Sequence, residues 1–135
     1  MAGRARAGAG AAAIAAVLLA AGWGWGCSCG KRPSPEDEKR AQAREAVTRF
    51  FAALPERDCD VLGPMLVQPQ GGADCAKVVG SLHGHGYRLV EVLGAEVDGR
   101  DPLAVIVRVR LEENGRQREA PLRMERHPEG WKLRL

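Results

Sequence analysis

The chain has 135 residues, with 20 basic and 17 acidic side chains, a formal net charge of +3 and a pI near 8.9. This length allows one small domain. Without Arg4 and Arg6, which lie in an N-terminal targeting-like stretch, 18 basic residues face 17 acidic ones. That near balance argues against a nucleic-acid-binding protein, which would carry a strongly basic surface.

The N-terminus has the pattern of a secretory signal peptide. Arg4 and Arg6 precede an uncharged stretch, residues 7–30, with an apolar centre at residues 11–21 (AAAIAAVLLAA). A basic start, a short apolar segment and then small residues are typical of export signals. The alternative is an uncleaved membrane anchor formed by residues 8–29. We therefore expect residues 1–29 to direct the chain out of the cytoplasm.

Two cysteines follow this apolar segment. Residues 18–29, LLAAGWGWGCSC, resemble the lipobox of bacterial lipoproteins, in which a small residue precedes the cysteine that is lipidated. Gly26 before Cys27 and Ser28 before Cys29 both fit, and we favour Cys27, with Cys29 as the second choice. A C-x-C pair can also bind a soft metal, but no further His or Cys lies nearby, so we predict no metal or cofactor. The resemblance implies an exported protein anchored by lipid to the bacterial cell envelope, facing the periplasm or the exterior.

Cys59 and Cys75 lie in the part of the chain expected to fold. In an oxidising compartment, two such cysteines separated by 16 positions predict a disulfide bond. A redox-active or metal-binding pair is the alternative, but the C-x-x-C spacing is lacking.

Three helices are predicted after a polar tether at residues 30–35. The first begins with Ser34 as N-cap and Pro35 at the first helical position, and it ends at Pro55. Its apolar stripe recurs at spacings of three and four and comprises Ala43, Ala46, Val47, Phe50, Phe51 and Leu54. Two short helices follow, at residues 57–67 with an interruption at Gly63-Pro64, and at residues 75–82.

Four antiparallel strands are predicted in the second half. Residues 87–97 form the first strand, and two phases stay open: Val90 and Val92 inward, or Tyr87, Leu89, Glu91 and Leu93 inward, with Gly94 as a possible bulge. Asp98-Gly99 is a turn into the second strand, which begins at Leu103. A last turn, residues 127–130, leads into a strand that places Trp131, Leu133 and Leu135 on the apolar face.

The Asn114-Gly115 dipeptide predicts a tight hairpin turn, because both central residues of a type I′ turn need positive φ. This turn sets a register in which Val105 pairs with Met124, Val107 with Leu122 and Val109 with Ala120 on one face. The opposite face pairs Ala104 with Glu125, Ile106 with Arg123 and Arg110 with Glu119. The apolar face needs a cover, and the helix that carries Phe50 and Phe51 is the natural candidate.

This α+β arrangement resembles the nuclear transport factor 2-like superfamily, in particular its small uncharacterised exported lipoproteins. The resemblance rests on the helix with Phe50 and Phe51, on residues 58–66 and on Gly130-Trp131-Lys132-Leu133, and it extends over residues 34–135. It implies a cone-shaped domain at residues 36–135, with a long helix and two short helices packed on a curved meander. A cystatin-like layout is the nearest alternative.

The first functional hypothesis is a non-enzymatic lipoprotein that binds an envelope protein partner or a small apolar ligand between helix and sheet. The predicted lining comprises Phe50, Phe51, Val105, Val107, Leu122, Met124 and Trp131. The alternative is a small isomerase or cyclase, as in the enzymes of that superfamily, using His83 or His85 with Tyr87 and Glu91. A third possibility is a purely structural domain whose own side chains fill its interior. The arginines of the hairpin alternate with glutamates and predict a solvated charged face.

Overall fold

A long helix packs on one face of a four-stranded antiparallel sheet in the computed structural model, which describes residues 30–68 and 74–135. The helices are α1 (Pro35–Ala53), α2 (Cys59–Leu62) and α3 (Cys75–Gly84). The strands are β1 (Arg88–Asp98), β2 (Asp101–Glu113), β3 (Arg116–His127) and β4 (Gly130–Arg134), in the spatial order β1-β2-β3-β4. The predicted α+β class is confirmed. The predictions for residues 1–29 fall outside the described residues.

The start of α1 follows directly from its sequence. The Ser34 side chain accepts a hydrogen bond from the Asp37 backbone N–H at 3.1 Å, and the Asp37 carboxylate accepts one from the Ser34 backbone N–H at 3.1 Å. This reciprocal capping box satisfies two N–H groups that would otherwise lack partners at the helix start. Pro35 occupies the first helical position, as predicted, and a short 3-10 helix at Leu54–Glu56 closes the segment.

The apolar stripe of α1 covers the sheet. Ala43, Ala46, Val47, Phe50 and Leu54 are buried, whereas Phe51 is half-buried and stacks edge-on against Phe50 with ring centroids 5.4 Å apart. These side chains join those of the sheet in one core cluster. The helix is therefore held mainly by burial of one face, since most helical stability in proteins comes from tertiary packing.

The β2–β3 hairpin has the predicted register at every predicted pair, including Val107 with Leu122 and Val105 with Met124. Asn114 and Gly115 have φ of 49° and 79°, as the tight turn requires. Val105, Val107 and Val109 are fully buried beneath α1. The alternation of side chains on β2 therefore sets which face of the sheet becomes the core.

Strand β4 returns along β3 through the turn at residues 127–130. Leu133 pairs with Met124 and is fully buried, and Trp131 pairs with Arg126 and is half-buried. On its outer edge β4 accepts a hydrogen bond from the Val67 backbone N–H to the Leu133 carbonyl at 2.9 Å. The segment after α2 thus covers part of an edge that would otherwise stay unpaired.

Strand β1 follows one predicted phase at Leu89 and the other at Val92, so neither phase holds over the whole strand. Its register against β2 shifts around Val90 and again around Leu93, so that both residues are extra in the ladder. Leu89, Val92, Ala95 and Val97 pack against the core, and Val90, placed inward in one phase, is 43% exposed. A bulge inserts one residue and reverses the facing of those beyond it. The bulge predicted at Gly94 lies one residue earlier, at Leu93. A second bulge, at Val90, precedes it in the strand.

The two short helices are joined by the predicted disulfide bond. Cys59 begins α2, Cys75 begins α3, and their Cα atoms are 6.0 Å apart. The interruption predicted at Gly63-Pro64 is present as a 3-10 helix, Gly63–Met65, which leaves α2 with only four residues. Such short helices are not stable alone, so the disulfide and the burial of Leu62 and Val79 hold them in place.

Replacing both Cys59 and Cys75 by alanine should lower the free energy of unfolding by about 3 kcal/mol, because the bond closes a loop of 16 residues in the unfolded chain. Urea unfolding followed by circular dichroism measures this loss. A reducing agent should destabilise the wild-type protein by a similar amount and leave the double variant unchanged. Equal stability of the two proteins under oxidising conditions would contradict the prediction.

Candidate functional site

Four of the seven residues predicted to line a ligand cavity belong to the filled core. Phe50, Val105, Val107 and Met124 have at most 1% of their surface exposed. The space directly between α1 and the sheet is therefore occupied by the protein's own side chains. Close packing of this kind leaves no room for a ligand unless the core is displaced.

The remaining three predicted residues are half-buried and lie in two places. Phe51 and Leu122 line an open groove beside the core. Trp131 instead faces α1, where its indole Nε1–H donates a hydrogen bond to the Gln42 side chain at 3.1 Å. Buried tryptophans usually satisfy this N–H, so Trp131 joins β4 to the helix.

The groove has a volume of about 410 Å³ and receives side chains from α1, α3 and the inner face of the sheet. We call it the β3 groove. Its lining residues are Phe51, Leu82, Tyr87, Leu111, Arg118, Ala120, Pro121, Leu122, Arg134 and Leu135. A smaller recess of about 180 Å³ shares Arg134 and Leu135 with the groove and is also lined by Leu66, Val78 and Leu133.

The β3 groove exists because the cover of the sheet is incomplete along β3. Alternation places Arg118, Ala120 and Leu122 on the same face as the buried valines of β2. Leu122 is half-buried, although its partner Val107 is fully buried. Ala120, opposite Val109, has a side chain too small to fill the space above it. The result is an apolar depression with Phe51 and Leu82 as its walls.

A polar cluster closes one end of the groove. The Tyr87 hydroxyl donates to Glu113 Oε1 at 2.8 Å and accepts from Arg118 Nη2 at 2.7 Å. Arg118 Nε also lies 3.1 Å from Glu113 Oε2, and its guanidinium carbon is 5.6 Å from the Tyr87 ring centroid. These contacts hold the guanidinium at a defined position, by ion pairing and by a cation–π contact. We call Tyr87, Glu113 and Arg118 the Tyr87 cluster.

The residues of the predicted enzymatic alternative are only partly brought together. The rings of His85 and Tyr87 are 6.0 Å apart, and His85 Nδ1 lies 3.8 Å from Glu113 Oε1. Glu91 lies elsewhere: the bulge at Val90 turns it to the outer face, where it binds Arg110 at 2.8 Å. His83 is exposed on α3. The carboxylate beside Tyr87 is therefore Glu113 and not Glu91.

Glu113 and Arg118 are not among the predicted site residues, although the sequence contains a signal for Arg118. The hairpin register that pairs Val109 with Ala120 also pairs Leu111 with Arg118, on the inner face. A charged residue at an inward position is unusual, because charged side chains are rarely buried without a partner. The hairpin register could not predict the contact between Arg118 and Tyr87, because Tyr87 lies in a distant part of the chain.

The other arginines and glutamates that form ion pairs in the hairpin lie on the outer face of the sheet. Arg110 bridges Glu91 and Glu119. Arg123 contacts Asp98, Asp101 and Glu125, and Glu125 also binds Arg134. Each ion pair is only partly buried and by itself adds little to the stability of the fold. Several charges joined in one network add more. Among the residues that the structure describes, no group of three His, Cys, Asp or Glu side chains is arranged to hold a metal ion.

Glu125 has the most strongly shifted carboxylate of this network. Its side chain is 14% exposed. Hydrogen bonding from Arg134, together with that from Arg123, lowers the pKa of Glu125 from 4.5 to about 2. The pKa of Asp98 is lowered as well, first by the hydrogen bond from the Arg100 backbone N–H and then by Arg123. Both carboxylates are therefore more acidic in the folded protein, which links stability to pH.

The comparisons with known proteins do not identify this chain: no family model matches it, and a search of curated proteins finds no matching protein. None of the helices in residues 30–68 and 74–135 is both long enough and apolar enough to cross a membrane. The resemblance to the nuclear transport factor 2-like superfamily stays a prediction.

Replacing Glu125 by glutamine should destabilise the protein by about 1–2 kcal/mol at pH 7, a value reduced for solvent screening of the partly exposed arginines. Because folding lowers the pKa of Glu125, the contribution of this carboxylate to the free energy of unfolding is fully present above pH 4.5. That contribution is lost as the pH falls toward 2. Urea unfolding at pH 7, 5 and 3 should show wild type and variant converging at low pH. Glu119→Gln, at a more exposed position, should show a smaller effect. A constant difference across the pH range would contradict the assignment.

Proposed function

We propose that the domain is a non-enzymatic binding module that holds a small apolar ligand in the β3 groove. The observation that carries this proposal is the groove itself, whose half-buried walls Phe51, Leu82 and Leu122 come from three different elements. Ligand sites are typically apolar clefts of about 300–1,000 Å³ with a few polar groups, and about 410 Å³ with the Tyr87 cluster at one end fits that description.

The filled core favours a groove that is formed before the ligand arrives. Phe51, Leu82, Ala120 and Leu122 pack against a buried core that includes Val107, Val109 and Phe50, so the walls of the groove cannot easily collapse. A preformed site avoids the ordering cost that weakens binding to mobile surfaces. Affinity would come from removing the half-buried side chains from water, at about 25 cal/mol per Å² of apolar area.

The other hypotheses have less support from the geometry. An isomerase or cyclase using His83 or His85 with Tyr87 and Glu91 would need these groups around one substrate, and Glu91 lies on the opposite face of the sheet. A purely structural domain would not need the open groove. The remaining alternative is that a protein partner occupies the groove instead of a small molecule. An envelope protein would then insert an apolar side chain there.

We also propose that the domain is anchored by lipid to the bacterial cell envelope through Cys27, or else Cys29. The residues before the Ser34 cap would serve as tether, and the domain would lie in the periplasm or outside the cell. The support is the lipobox-like sequence before these cysteines together with the Cys59–Cys75 disulfide. Disulfides persist in oxidising compartments and are rare in the cytosol, so the bond fits an exported protein.

Filling the groove should weaken ligand binding strongly. Ala120→Trp places a large side chain in the open space, and we expect at least tenfold weaker binding of an environment-sensitive apolar dye, measured by fluorescence titration. Gln117→Trp is the matched control, because it adds the same side chain at an exposed position on the outer face of β3. Equal dye binding by both variants, each with wild-type unfolding temperature, would contradict the site.

Lipidation predicts a specific effect of one cysteine. In a bacterial host, Cys27→Ala should move the protein from the membrane fraction to the soluble fraction and abolish incorporation of labelled palmitate, because lipid chains are the proposed anchor. Cys29→Ala is the matched control and should remain in the membrane. The reverse result would assign the anchor to Cys29, and palmitate-free wild type would overturn lipidation altogether.

A further inference from the structure

We propose that the ligand of the β3 groove is an amphipathic carboxylic acid, with its apolar chain along Phe51 and Leu122 and its carboxylate at Arg118. This inference rests on the proposed function and adds the chemical class of the ligand. It is based on the juxtaposition of an apolar groove and a positioned, solvent-accessible guanidinium at one of its ends.

Arg118 is suited to bind an acid group because it is both held and accessible. Its Nη2 donates to the Tyr87 hydroxyl, and its Nε binds Glu113. Nevertheless, 53% of its side chain remains exposed. A guanidinium that is already fixed loses little freedom when it binds, and its planar geometry matches a carboxylate.

The charges along the groove favour an anion. Arg118 and Arg134 line it, and none of its lining side chains is acidic. The carboxylates that pair with these arginines, Glu113 and Glu125, do not belong to the lining. The charged groups of the lining therefore have a positive balance. The attraction is moderate, since the site is partly in solvent. A cationic head group would be repelled by this net positive charge.

The dimensions fit a chain of medium length. Arg118 and Leu122 lie on the same face of one strand, four residues apart, which corresponds to about 13 Å at about 3.3 Å per residue. Ala120 lies between them and leaves the floor open. An extended acyl chain placed along this line would contact Leu122 and Phe51 while its carboxylate stays at Arg118.

The test compares three probes that share one chain and differ in head group: decanoate, decanol and decyltrimethylammonium. Each is titrated against the full folded domain by displacement of the apolar dye at pH 7. We expect decanoate to bind about fivefold to tenfold more tightly than decanol, as a single partly screened charge pair allows. Decyltrimethylammonium should bind more weakly than decanol.

Two substitutions in the cluster should act in opposite directions. Arg118→Gln should reduce the affinity for decanoate to that for decanol. Glu113→Gln removes the opposing charge, while the glutamine carbonyl oxygen and the Tyr87 hydroxyl can still accept hydrogen bonds from Arg118. It should raise the affinity for decanoate severalfold, with decanol unchanged. Arg108→Gln is the matched control, because Arg108 is an exposed arginine on the outer face of β2, and it should change nothing. Thermal unfolding checks that each variant is folded.

The outcomes separate this inference from the proposed function. If decanoate and decanol bind equally to the wild type, and Glu113→Gln has no effect, the groove is an apolar site and the carboxylate assignment is overturned. If none of the three probes binds, the proposed function itself fails. Should Arg118→Gln not fold, Glu113→Gln and the comparison of head groups still decide the question.

Discussion

The burial of the inner face of the β2–β3 hairpin under α1 is the constraint on which the rest of the structure depends. Val105, Val107 and Val109 are fully buried against Val47 and Phe50, and each such side chain contributes about 1.5–3 kcal/mol. This packing sets the position of the helix on the sheet. The alternation of side chains along these strands places Arg110, Arg123, Glu119 and Glu125 on the opposite face, where they form ion pairs.

The β3 groove is present because the covering helices pack fully over β2 but only partly over β3. The closest packing lies over β2, and the inner face of β3 is covered only in part, by Phe51 and by Leu82 of α3. The Cys59–Cys75 bond fixes the short helix that carries Leu82. The walls of the groove therefore come from α1, α3 and the sheet, and hydrogen bonds join the polar groups at its Tyr87 end.

The candidate site was predictable in part. Phe51 and Leu122 were expected in an apolar concavity and do line the groove, whereas Phe50 and Val107 were assigned to the same surface and are core. Periodicity shows which side of an element faces inward, but it does not show how deeply each inward residue is covered. Depth depends on the angle and length of the covering helix, and those follow from packing among distant residues.

The sequence by itself determined the elements whose signals are local: the Ser34 cap, the Asn114-Gly115 turn and the full register of the hairpin. These features depend on backbone conformations that neighbouring residues dictate. Only the tertiary structure decided the two bulges of β1, the outward position of Glu91 and the meeting of Tyr87 with Arg118. A bulge forms where a strand must fit both its partner strand and the helix above it. That fit involves residues far apart in the chain, and a local pattern cannot encode it.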